Sequence, residues 1–116
     1  MSMPAGSFHV SITGLRLRHP GLAPIFWWHA VRSMAQARAA EGNLSAQARI
    51  IAGVHHTVSV WHDRDAMLAY LRSGAHLRAM RLFRRIATGW VAGYAADQAP
   101  DWNNVPTILQ AKGRAV

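Results

Sequence analysis

His76 follows closely on Ser73-Gly74, a pair that interrupts an otherwise continuous apolar helical stripe. Imidazole is the side chain whose unperturbed pKa, about 6.5, suits proton transfer near neutrality. Glycine inside a helix costs about 1 kcal/mol relative to alanine, so the break needs a local reason. A histidine just beyond it can reach past the packed turn into a pocket. The other chemistry-bearing residues are few: seven histidines, five carboxylates and no cysteine. Without thiols there is no disulfide, no thiolate nucleophile and no thiolate metal site. The carboxylates form no paired acid/base arrangement of the kind that cleaves glycosides. His9, His19, His29 and His62 have no carboxylate or histidine partner at helical or strand spacing, so no metal centre is expected. His55 and His56 are strand neighbours, point oppositely and cannot chelate together.

The elements that must hold these residues follow from periodicity. Ser7 to Arg18 alternates, with Phe8, Val10 and Ile12 on one side and His9, Ser11 and Thr13 on the other, the period of a strand. Gly14 breaks the phase and suggests a bulge. Pro24 starts a helix in which Trp27, Trp28, Val31, Met34 and Ala35 recur at three-to-four spacing as the inward stripe, ending at Gly42. Gln47 to Val54 and His55 to Trp61 read as a hairpin joined near Gly53-Val54. Asp63 or Asp65 caps a helix carrying Ala66, Met67, Tyr70 and Leu71. After the break, Ala79, Leu82, Phe83 and Ile86 face inward and Arg78, Arg81 and Arg85 outward. Thr88 to Ala96 is a fourth strand.

The order βαββαβ predicts one ferredoxin-like α+β domain over 1–116, with a four-stranded antiparallel sheet and helices on one face. Residues 97–116 form a C-terminal tail with a short helix around Asn104 to Ala111. The second sheet face, carrying His9, Ser11 and Thr13 beside His55, Thr57, Ser59 and Trp61, then needs a cover. A homodimer packed sheet to sheet is the simplest one.

Composition narrows the classes of function. With 51% hydrophobic and 16% charged residues the chain is globular, and no run approaches the roughly 18 apolar residues of a membrane span. The first residues show no basic-then-apolar secretory pattern, and cysteine is absent, so a cytoplasmic location is expected. The net charge of +8 comes from twelve arginines and one lysine, scattered except at Arg78, Arg81, Arg84 and Arg85. No phosphate loop, zinc-finger spacing or aromatic-glycine RNA motif accompanies them, so no specific nucleic-acid partner is expected.

The segment Val58-Ser59-Val60-Trp61, Asp63, Ala66-Met67, Tyr70 to Gly74, His76 and Ala79-Met80 resembles the strand-to-helix passage of uncharacterised members of the dimeric α+β barrel superfamily. That superfamily includes the antibiotic-biosynthesis monooxygenases. The segment is also similar to one in spheroidene-monooxygenase-like proteins, and Pro100-Asp101-Trp102 resembles the ending of the same group. The resemblance covers about a third of the chain.

It implies a homodimer and a pocket between sheet and helices that takes a small hydrophobic molecule. His76 and Tyr70 are then the catalytic candidates, with Trp61, Trp28 and His56 binding the ligand. The leading expectation is a cofactor-independent monooxygenase acting on an aromatic or polycyclic compound. The first alternative is a heme protein with His76 as axial ligand. Against the heme-degrading branch, the ligating histidine would fall near Met80, and strand one lacks the expected asparagine. The second alternative is a noncatalytic, stress-associated binding module. Each residue also has a plain structural role open to it: His76 as a helix-end partner, and Trp61 and Tyr70 as core aromatics.

Overall fold

The structure, a computed structural model, describes residues 8–116. Five antiparallel strands form one sheet in the order β2-β3-β1-β4-β5, where β1 is Phe8–Leu17, β2 Asn43–Ile51, β3 Val54–Trp61, β4 Ala87–Ala96 and β5 Arg114–Ala115. The helices are α1 (Ala23–Ala39), α2 (Arg64–Leu71), α3 (Gly74–Ile86) and α4 (Val105–Lys112). This is the ferredoxin-like α+β order with one strand more than the predicted four. The fifth arises where the tail pairs Arg114 and Ala115 with Val91 and Trp90. The short helix predicted around Asn104 to Ala111 is α4.

Strand one begins at Phe8, while Ser7 lies outside the described residues. Gly14 makes no bulge: pairing runs unbroken from Thr13–Val91 through Gly14–Trp90 to Leu15–Gly89. The glycine serves close packing instead. A Cβ there would lie 2.5 Å from Leu109 Cδ2 and 3.2 Å from the His56 ring. Strand two starts at Asn43, four residues before the predicted Gln47, because a register shift between Asn43 and Ser45 hides the alternation. Its hairpin closes on Ala52-Gly53, both with positive φ, as a two-residue hairpin turn requires.

The two sheet faces are covered the opposite way to the expectation. Val10, Ile12, Val58 and Val60 face away from α1, α2 and α3, and α4 covers them with Val105 and Leu109. The row of Ser11, Thr13, His55, Thr57 and Ser59 faces α1, α2 and α3. The reason is energetic. Full burial of each large aliphatic side chain contributes about 1.5–3 kcal/mol, and the tail supplies a close-fitting apolar helix. The polar row is left beneath the longer helices, where they do not close tightly on the sheet.

Helix α1 is rotated from its predicted orientation by about one residue, roughly 100°. Its buried residues are Phe26, Ser33 and Ala37, while Trp28 and Val31 are 63% and 62% exposed. Phe26 sets this rotation by packing against Phe83 at 4.7 Å and His55 at 4.6 Å between ring centroids. Among the described residues no helix is long and apolar enough to cross a membrane.

Candidate functional site

A cavity of about 470 Å³ lies between the polar row of the sheet and helices α1, α2 and α3. Its floor carries the hydroxyls of Ser11, Thr13, Thr57 and Ser59, and Thr13 and Thr57 hydrogen-bond each other across β1 and β3. Apolar groups of Met34, Met67, Met80 and Phe83 form much of the roof. An apolar enclosure with a few placed polar groups is the usual form of a small-molecule site.

At one wall three rings pack in series. Trp61, fully buried at the end of β3, lies 5.0 Å from Tyr70 in a stacked arrangement, and Tyr70 lies 4.4 Å from His76. Each position has a local cause. Asp63 Oδ1 accepts a hydrogen bond from the Ala66 amide at 2.8 Å, which starts α2 and fixes the turn that carries Tyr70. The Tyr70 hydroxyl donates to the Ser33 carbonyl at 3.0 Å and shares a second hydrogen bond with Ser33 Oγ at 2.8 Å. Burial pushes the tyrosine up to about 12, against the Ser33 hydrogen bond, so it stays a neutral phenol.

The break before His76 is held by Gln36 of α1. Its amide donates to the Ser73 carbonyl at 2.9 Å and its Oε1 accepts from the His76 backbone N–H at 2.7 Å. Gly74 takes a left-handed φ of 57°, and Gln36 fills the space a Cβ there would need. Gln36 thus serves the start of α3, while the His76 imidazole reaches back to the Leu71 backbone at the end of α2. Its Nδ1 is buried with no hydrogen-bond partner on the protein. Burial lowers the His76 pKa to about 4, with the Leu71 backbone offsetting part of that. The imidazole is neutral at physiological pH.

The structure brings together His76 and Tyr70 on the cavity wall. Trp61 stands behind Tyr70, outside the lining, with its indole N–H donating to Ser59 Oγ at 2.9 Å. Trp28 is outside the cavity altogether, on the exposed side of α1, where Arg32 lies over its ring at 5.5 Å. His56 borders the cavity from β3, but its ring is on the α4 face against Gly14. Its strand neighbour His55 is on the cavity side, packed against Phe26 and Trp27, with Nδ1 buried and unpartnered and its pKa lowered mainly by burial. His55 is therefore a wall residue that the sequence reading set aside, and the alternation of the polar row was the signal for it.

Among the described residues no group of three histidines or carboxylates could hold a metal ion.

This architecture defines a class: it is the fold of antibiotic-biosynthesis-monooxygenase-like proteins. SnoaB, a cofactor-independent oxygenase from Streptomyces nogalater, superposes with a TM-score of 0.65 at 17% identity, over 79% of this chain and 95% of its own. Rv0793 from Mycobacterium tuberculosis does so at 0.67 and 16% identity, over 75% and 93%. An antibiotic biosynthesis monooxygenase gives 0.65 at 15% identity, over 75% and 97%. No protein-family profile and no curated protein sequence matches the chain significantly.

Proposed function

We propose that the protein is a cofactor-independent, monooxygenase-like enzyme that oxidises an aromatic small molecule in the cavity between sheet and helices. The observation that carries this reading is His76: a neutral, largely buried imidazole packed on Tyr70 at the wall of a largely apolar cavity. The fold shared with the oxygenase SnoaB supports it.

An imidazole held near 4 is a weak base. It acts on substrates whose own C–H or O–H is acidified by conjugation, as in phenols and aryl ketones. For a ring CH2 conjugated with a carbonyl through the flanking arene rings, His76 takes one proton and the resulting carbanion passes electrons to O2. A C–O bond forms as a peroxide. The O–O bond then breaks as the second ring proton is lost. The proton returned by His76 completes a molecule of water. One CH2 becomes C=O, and O2 ends as the carbonyl oxygen and water. Tyr70 holds the His76 ring in place, and the floor hydroxyls orient the ligand's oxygen atoms.

Anthrone is a suitable probe. The metal-stripped protein is expected to consume one O2 per anthraquinone formed, above the rate in buffer. Binding of anthrone without oxygen uptake would instead mark a noncatalytic binding module.

The proposed assembly is a homodimer in the cytoplasm. Among the described residues the outer edge of β2 is unpaired, Leu44 and Ile50 on that strand are 53% and 54% exposed, and Trp90 is 54% exposed on β4. Light scattering at micromolar concentration is expected to give twice the 12.8 kDa chain mass, and a monomer mass would overturn the dimer. Cell fractionation checks the location.

A further inference from the structure

The cavity wall carries four arginines, Arg38, Arg49, Arg84 and Arg114, and no acidic side chain. Two of them are engaged. Arg38 donates from Nε and Nη2 to the Ala46 carbonyl at 3.2 and 3.1 Å, tying α1 to β2, and Arg49 lies over the Trp102 ring at 5.0 Å. Arg84 and Arg114 are placed differently. Arg84 is one turn beyond Met80 on α3, and Arg114 pairs across from Val91, whose side of β4 faces the cavity. The two thus meet the cavity at its β5 end, on the sheet edge opposite β2. Among the described residues neither makes an ion pair with a carboxylate.

Resting on the reading of this cavity as the substrate site, we propose that its β5 end is an anion subsite in which Arg84 and Arg114 hold a carboxylate on the substrate's aromatic body. The planar guanidinium donates two parallel hydrogen bonds to a carboxylate, and two arginines from separate elements can grip one such group from both sides. Both residues are exposed to solvent, so the grip rests on their paired placement and weakens as salt is added. The apolar roof, with no acidic residue on any wall, takes the rest of an aromatic acid without like-charge repulsion. Such a subsite would fix the ligand's direction, with its charged end at β5 and its ring system under Met80 and Phe83.

The test compares 2-naphthoic acid with 2-naphthamide, which has nearly the same shape and no charge, by isothermal titration calorimetry. Wild type is expected to bind the acid at least tenfold more tightly than the amide. Arg84→Gln/Arg114→Gln should abolish that preference by weakening acid binding far more than amide binding, with the fold confirmed by circular dichroism. Arg78→Gln/Arg81→Gln/Arg85→Gln removes three charges from the exposed side of α3 and should keep the preference. Equal binding of acid and amide by wild type would overturn the subsite. Loss of the preference in the triple variant would also overturn it, since net charge would then be the cause. If neither compound binds wild type, the small-molecule cavity itself is the reading that fails.

Discussion

His76→Ala is expected to lower kcat/KM for oxygen-dependent turnover by about 100-fold or more, the scale of a positioned general base. Substrate affinity should change less, because the apolar roof and the hydroxyl floor stay in place. The backbone bond from the His76 N–H to Gln36 survives the substitution, so α3 keeps its start. What is lost structurally is the packing of the ring on Tyr70, an effect of about 1–2 kcal/mol. His76→Gln separates the two contributions. It keeps bulk and a hydrogen-bonding amide but has no group that takes up a proton near neutrality. It should therefore fold like wild type and turn over as poorly as the alanine variant. Wild-type rates in both variants, measured with an oxygen electrode on protein of verified fold, would remove His76 from the chemistry.

The fold was legible in the sequence because its strongest signals are local. The alternation of Phe8 to Thr13, the Asp63 cap before Ala66 and the spacing of Ala79, Phe83 and Ile86 each reflect one strand, one turn and one helix face, and all three are present. The errors share a cause: they concern which of two possible faces an element turns inward, and distant contacts decide that. Helix α1 has apolar residues around most of its circumference, so Trp28 and Val31 compete with Phe26 and Ala37 for the inward side. The contest is decided by Phe83 and His55, which lie far away in sequence. The polar row on β1 and β3 poses the same choice, and α4 settles it by covering the valine face.

At the site, His76 was legible from the Ser73-Gly74 break and Tyr70 from its stripe, since both follow from local sequence. Trp28 was misplaced by the rotation of α1 and His56 by the choice of face. The roles of Gln36 and Ser33 were invisible, since each is a contact across 37 to 40 residues.

Stability should fall as the pH drops from about 6.5 to about 4, and His76 should account for much of the loss. The histidine has its ordinary value near 6.5 in the unfolded chain and is held at about 4 in the folded one. Between those values the unfolded state binds more protons, so unfolding free energy rises with pH through this window and levels off above it. The gap corresponds to about 3 kcal/mol, a sizeable share of the 5–15 kcal/mol that holds a typical domain together. Burial also lowers His9, His55 and His56, so their contributions have the same sign. Asp63 acts elsewhere. Its carboxyl is lowered chiefly by the Ala66 backbone hydrogen bond, so its contribution is lost only at more acidic pH, below about 4. Urea denaturation at pH 7.5 and pH 4.5 measures the difference, and in His76→Gln the His76 share should vanish while the shares of the other three histidines remain. Equal urea midpoints for wild type at the two pH values would show that the imidazole is not held neutral by burial. An NMR titration placing His76 near 6.5 would show the same for that residue directly, and would remove the reason for treating it as a neutral acceptor at the cavity wall.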